Sequence, residues 1–328
     1  MTYDAEYEQE MSDSPIFVVG RPRSGTTLMA SLLDAHPRIS IIPIETELFL
    51  KISSFPARNL TKKHIDEFCY QFESSEEYQK LEIPDELYRS AIDRKSIKAT
   101  VKNLIILIGQ KDAARRNKQR WGEKTPLHYH CLHRIFEAFP RARVIIMVRD
   151  PRGMLASLLK APWNIETPEK SARSWNDLAD VVRRHEKNPL VLPIHYEKLV
   201  MEPVSILQNV CQWAGEDYSP AMLERANMTE RYQKDRGWGL QHRLKTLEKV
   251  SPASIDKWKT ELDLNHTRLI EHLCGKNMER MGYVLSTDGL EWDASFRLEM
   301  RHFFRRIRSR FKYETKRFRQ IFSILYPG

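Results

Sequence analysis

Eight consecutive residues, Gly20 to Thr27 (GRPRSGTT), place two arginines and three hydroxyls between and beside two glycines. That mixture suits an anion. The preceding Ile16, Phe17, Val18 and Val19 read as a buried strand bounded by Pro15 and Gly20. From Thr26 the apolar residues fall at helical spacing until His36-Pro37 stops the run. A strand, a glycine-bounded loop and a helix N-terminus present free N–H groups and a favourable dipole to negative charge. Gly20 and Gly25 keep the spacing of a phosphate loop, but the lysine that should follow is Thr26. Positive charge sits earlier, at Arg21 and Arg23. Without a lysine for the β- and γ-phosphates, a nucleoside triphosphate is disfavoured as the group donor.

A second cluster follows at residues 143–160. RVIIMVR reads as another buried strand, and Asp150-Pro151 opens a helix with proline in its first turn. Arg149 ends the strand, and Ser157 lies two helical turns beyond it. An arginine at the carboxyl end of a strand, with a hydroxyl nearby, would bind a second phosphate in the crevice of an open α/β sheet. A structural Arg149–Asp150 ion pair is the competing reading of this segment alone.

Together, GRPRSGTTLM and VIIMVRDPRGMLAS resemble the sulfotransferases that use 3′-phosphoadenosine-5′-phosphosulfate (PAPS). The likeness is greatest to the branch containing tyrosylprotein sulfotransferases and bacterial relatives. Weaker echoes are GEKTP at 122–126, IHYEKLVMEP at 194–203 and SPASIDKW at 251–258. The resemblance covers about residues 15–283. It implies an α/β, P-loop-like three-layer fold with a central parallel sheet. It also implies roles. Arg21, Arg23, Ser24, Gly25, Thr26 and Thr27 would cradle the 5′-phosphosulfate. Arg149 and Ser157, with Arg152 close by, would hold the 3′-phosphate. Tyr196, on a strand over residues 190–196, would lie near the adenine. Ser254 and Lys257 would be late contacts to the donor's phosphates.

Sulfuryl transfer rests on in-line positioning and on charge stabilisation at the leaving oxygen. The resemblance nominates Arg23 and Lys124 for that charge, with no metal needed. Lys124 is expected on a short loop, before Thr125 as N-cap and Pro126 as first helical residue. For the base, Glu45-Thr46 matches the family's Glu-Thr at the cost of a one-residue insertion. Ile41, Ile42, Ile44, Leu48 and Phe49 could wall it apolarly and raise its pKa. Glu123, or a histidine such as His128 or His130, is the reserve. His128, His130 and His133 do not share one helix face and have no C-x-x-C partner, so metal ligation is not expected.

The elements that must position these groups fill the rest of the 328 residues. Residues 1–14 are acidic and expected to be disordered. Residues 15–290 read as one catalytic domain, with a helical insertion at 49–116 shaping the acceptor cleft. Its LIILIG run is too short to span a bilayer. Cys69, Cys131, Cys211 and Cys274 are scattered, as buried thiols of a reducing compartment would be. With no signal peptide evident, the expected location is cytoplasmic, peripheral to a membrane if the tail binds one. Of the net charge of +9, residues 295–328 carry +8. Phe296, Met300, Phe303, Ile307 and Phe311 form an apolar stripe there, so 291–328 reads as a basic amphipathic helix. It would meet an anionic membrane surface, its own domain or a second subunit. No nucleic-acid module is recognisable.

The expected function is sulfuryl transfer from PAPS to a hydroxyl of a carbohydrate, lipid, phenol or peptide, releasing adenosine 3′,5′-bisphosphate. The alternatives are a P-loop kinase or nucleotidase using Mg²⁺, and a non-catalytic membrane-associated nucleotide-binding protein.

Overall fold

The computed structural model describes residues 14–55, 61–79, 81–161, 166–224 and 250–287. The acidic terminus up to residue 13 and the basic stripe at 291–328 lie outside the described residues. Five parallel strands form one sheet among the described residues: β1 (Ile16–Gly20), β2 (Ile39–Ile41), β3 (Arg120–Lys124), β4 (Arg143–Val148) and β5 (Val191–His195). Their order is β2-β3-β1-β4-β5. β1 is therefore central, paired with β3 on one side and β4 on the other. Parallel neighbours need crossover helices, and these cover both faces of the sheet.

Alternation along β1 divides the core. Ile16 and Val18 face one side, where they join Leu32 and Leu33 of the Thr26–Asp34 helix and Leu207 and Val210 of the Pro203–Ala214 helix. Phe17 faces the other side. Its ring meets Phe49, Trp121 and Phe139 at centroid distances of 6.2, 6.3 and 5.9 Å. Burying one such ring contributes about 1.5–3 kcal/mol. Helices on either side of one sheet give the expected three layers.

The helical insertion is present as helices at Lys62–Glu73, Asp85–Ala91 and Ile97–Arg115. LIILIG belongs to the last of these, whose Leu104, Ile105 and Ile108 are buried. Among the described residues, no helix is long and apolar enough to cross a membrane. All four cysteines are buried and free.

Two expectations of local structure change. Lys124 is not on a loop: it is the last residue of β3. RWGEK has no apolar run to announce a strand, yet all five residues are buried because their charges find partners elsewhere in the chain. Fully buried Arg120 donates from Nη1 to the carbonyl of Ala214 (2.6 Å) and from Nε to that of Ser14 (2.9 Å). Its Nη1 also meets Glu216 Oε1 at 3.3 Å. Tyr196 does not end a strand either. β5 stops at His195, and Tyr196 begins the Tyr196–Met201 helix.

The chain divides into two compact units after Leu262. In the second unit, Asp263 caps the Leu264–Arg280 helix by accepting from the His266 amide at 2.8 Å. Further along, the Glu271 carboxylate accepts from the amides and hydroxyls of Ser286 and Thr287, drawing the chain back along the helix.

Gly109 lets the Ile97–Arg115 helix lie on Trp121 of β3: a Cβ there would stand 2.4 Å from the indole. Alanine would gain up to about 1 kcal/mol of helix propensity but overpack a fixed ring at about 1–3 kcal/mol. Gly109→Ala is therefore expected to destabilise the protein in urea unfolding, although it improves the helix.

Candidate active site

The loops after β1, β3, β4 and β5 meet at the carboxyl edge of the sheet, where open α/β folds bind ligands. Register aligns them: Gly20 pairs with Met147, Val18 with Lys124 and Val148 with His195. The β1 loop turns tightly at two glycines. A Cβ on Gly20 would lie 2.6 Å from the Met147 carbonyl oxygen. Gly25 has φ 93°, and a Cβ there would enter the Tyr196 ring at 2.5 Å. Ser24 spends its hydroxyl inside the loop, donating to the Arg21 carbonyl at 2.7 Å. Thr26 and Thr27 are the first residues of the helix, so their N–H groups have no intrahelical acceptor.

Arg23 and Arg149 come together. Arg23 has a left-handed backbone, φ 74°, and its Nε donates to Ser157 Oγ at 2.9 Å. Arg149 donates from Nη1 to the Arg23 carbonyl (3.0 Å) and from Nη2 to the Ser254 carbonyl (3.2 Å). Its guanidinium also lies 4.4 Å from the centre of the Tyr196 ring. Tyr196 Oη and Ser254 Oγ are 2.5 Å apart, closing the circuit. Burial, and then the Arg149 charge, push the Arg23 guanidinium down to about 10. Two guanidiniums crowded this way are a standing electrostatic cost that an anion relieves.

The Arg149–Asp150 ion pair is not what forms. Asp150 Oδ2 takes Nη2 of Arg152 at 2.6 Å, and Asp150 caps the Pro151–Leu159 helix through the Arg152 amide. Arg152 lies 4.0 Å from the centre of the Trp258 ring. Its charge is thus matched by Asp150, and it braces the segment after β4. Trp175 Nε1 holds the Arg149 carbonyl at 2.8 Å from the other side. Lys257 is exposed at the N-terminus of the Trp258–Glu261 helix. Arg21 turns away from Arg23 to Glu166, with Nη2 2.6 Å from Oε2. Nothing in the local sequence points to that partner, 145 residues distant.

On the other flank of the loop, Lys124 Nζ forms an ion pair with Glu45 Oε1. The Glu45 side chain is 40% exposed, so it faces a cation and solvent rather than an apolar wall. The reserve candidates are placed otherwise. Glu123 is fully buried beneath this pair and takes hydrogen bonds from Thr46 and Thr125. Its Oε2 lies 3.1 Å from His128 Nδ1. Burial alone would push the Glu123 carboxyl up; the His128 ring and the threonine donors outweigh it and hold it down. His128 is also fully buried, so neither it nor Glu123 lines a cleft. His130 is exposed, its ring against Tyr129. Among the described residues, no group of His, Cys, Asp or Glu is arranged to hold a metal.

This geometry agrees with what the chain is similar to. A model described as the Sulfotransferase family matches residues 15–220. The chain belongs to the sulfotransferase family. The nodulation protein NoeE of Sinorhizobium fredii is 26% identical over 85% of this chain and 68% of its own. Protein-tyrosine sulfotransferase 1 of Danio rerio is 25% identical over 65% of this chain and 56% of its own, so this chain spans little more than half of that relative. The sulfotransferase domain of the Synechococcus PCC 7002 olefin synthase shares the fold, with TM-score 0.52 and 21% identity, covering 83% of this chain and 96% of that domain. The sulfotransferase domain of the curacin biosynthetic pathway has the same TM-score at 19% identity, covering 83% of this chain and 99% of that domain.

The family donor, PAPS, carries a phosphosulfate at one end and a 3′-phosphate at the other. The residues fit such a molecule. The helix-terminal N–H groups of Thr26 and Thr27 suit one anion; Arg23, bonded to Ser157, and Arg149 come together for another. With no Cβ on Gly25, the Tyr196 ring packs directly on the loop backbone, beside the Arg149 guanidinium.

Arg23 combines a left-handed backbone with a like-charged neighbour, two costs that serve binding rather than stability. Arg23→Gly is expected to hold or raise the thermal midpoint of the ligand-free protein. The same change should abolish most of the stabilisation that adenosine 3′,5′-bisphosphate confers, read by differential scanning fluorimetry.

Proposed function

We propose that this chain transfers the sulfuryl group of PAPS to a hydroxyl acceptor, with the donor across the β1 and β4 loops and the acceptor at Glu45 and Lys124. The observation that carries this reading is the convergence of Arg23, Arg149 and Ser157 beside the glycine loop, with a carboxylate–ammonium pair on its opposite flank. A nucleotide anion would relieve the Arg23–Arg149 repulsion, and the pair beyond it would serve the reacting groups.

The donor supplies an activated sulfuryl group whose leaving group is a nucleotide phosphate. The chain's own residues do the rest. Glu45, paired with Lys124, accepts the proton of the attacking hydroxyl at a carboxylate oxygen. As that proton arrives, the carboxylate loses its charge and Lys124 Nζ is released to oppose negative charge developing nearby. Thr26 and Thr27 present their N–H groups to the sulfonated end. Arg149, fixed by the Arg23 and Ser254 carbonyls and by Tyr196, holds the 3′-phosphate. Arg23, tied to Ser157, stands between the two ends and contributes charge to both. The acceptor is a hydroxyl compound of the carbohydrate, lipid, phenol or peptide class. The tyrosine acceptor named for the zebrafish relative makes a tyrosyl peptide the first to try in a screen with labelled donor. A triphosphate reading has no lysine to support it, since Thr26 occupies that position and is buried.

Arg149→Ala is expected to weaken adenosine 3′,5′-bisphosphate by about 10–100-fold in calorimetry, the loss of one charged hydrogen-bonding partner. It should change 5′-AMP binding little, and equal losses for both ligands would refute the assignment. Glu45→Gln should leave bisphosphate affinity intact while transfer falls about 10²–10⁴-fold. Full transfer activity in that variant would remove Glu45 as the base.

A further inference from the structure

Glu123 sits one residue before Lys124 on β3, so strand alternation points the two side chains to opposite faces of the sheet. Lys124 meets Glu45, whereas Glu123 lies beneath the pair with no exposed surface. It touches neither the acceptor position nor the donor loop. Its contacts run to the residues that follow the pair. Thr46, next after Glu45, donates to Glu123 Oε1 from its amide at 3.3 Å and its hydroxyl at 3.1 Å. Thr125, next after Lys124, donates its hydroxyl to the same oxygen. Thr125 Oγ1 also accepts from the Glu47 amide at 3.4 Å, and Glu47 has a left-handed backbone with φ 53°. The turn that carries Glu45 is therefore strained and pinned. The second oxygen of Glu123 is fixed by His128 Nδ1, whose ring is wedged edge-on against Phe49 at 5.4 Å.

We propose that Glu123 is a positioning residue: one buried carboxylate oxygen sets the separation of Glu45 and Lys124 by gripping the residues next to each. This rests on the reading of Glu45 and Lys124 as the acceptor-side pair. Carboxylate oxygens accept several hydrogen bonds at once, and a low-dielectric surrounding strengthens each one. A single acidic side chain can thus hold two segments 77 residues apart in one register. His128 completes the anchor and explains why a histidine beside the site is sealed from it.

Limited acetylation of the full chain with an N-hydroxysuccinimide ester, quantified residue by residue by mass spectrometry, tests this without a known acceptor. Lys118, which donates to the Ile39 carbonyl at 2.8 Å near the opposite end of β3, is the internal control for an intact fold. Glu45→Gln defines the rate for a released Lys124. Glu123→Ala is expected to raise the Lys124 rate relative to Lys118 by about tenfold, the scale of coupling between groups in one network. Glu123→Gln, whose amide oxygen can still accept from both threonines, should restore most of the protection. Thr46→Val removes one grip while keeping shape, and should raise the rate by a smaller factor; it decides the matter if Glu123→Ala does not fold. An unchanged Lys124 rate in folded Glu123→Ala, or in Thr46→Val where only that variant folds, overturns the proposal. Calorimetry with adenosine 3′,5′-bisphosphate runs alongside. Failure of the wild-type chain to bind it would refute the donor reading and leave the Lys124 result standing.

Discussion

The burial of a charged strand beside β1 is the constraint on which the rest of this molecule depends. Arg120, Glu123 and Lys124 would each destabilise the core if left unpaired. Their partners come from four separate places: Ser14 before β1, Ala214 and Glu216 at the end of a distant helix, the turn at Glu45 and Thr46, and Thr125 with His128. Satisfying β3 therefore pulls these segments into register. The N-terminal end of the strand closes the base of the sheet, and its C-terminal end assembles the acceptor flank. One five-residue strand couples stability at one edge to chemistry at the other.

The donor flank follows a different logic. Arg23 and Arg149 are brought together by backbone carbonyls, a serine hydroxyl and an aromatic ring. Like charges held this way store electrostatic cost in the ligand-free protein. An anion with two phosphate-sized ends would relieve it, and a triphosphate would find no lysine after Gly25. The difference between the two flanks is physical: one pairs opposite charges, the other brings two like charges together where an anion would relieve them.

Legibility in the sequence tracked how local each signal was. β1, its loop and the Thr26–Asp34 helix stand as read, because apolar runs and glycine spacing are properties of adjacent residues. So do β4 and the helix after Asp150. Strand β3 was not legible as a strand, since its pattern is polar and only distant partners make it buryable. Tyr196 was placed one element too early, because the β5 hydrogen-bonding stops at His195 whatever the residue preference. Arg152 was read only as close to the 3′-phosphate residues, and its partners Asp150 and Trp258 were not legible from spacing. The Arg21–Glu166 pair left no local trace at all.

What the sequence by itself determined is the chemistry on offer: a glycine-bounded loop without a lysine, an arginine ending a second strand, and a Glu-Thr near a Glu-Lys-Thr-Pro. These are facts of residue type and spacing, and they narrow the ligand to an anion that is not a triphosphate. Only the tertiary structure decided which of those groups face one another. It turned Arg23 toward Ser157, set Lys124 on Glu45, and withdrew Glu123 and His128 from the cleft. The reason is that pairing and burial depend on distances through space between residues far apart in the chain, and a carboxylate one position along a strand points to the opposite face.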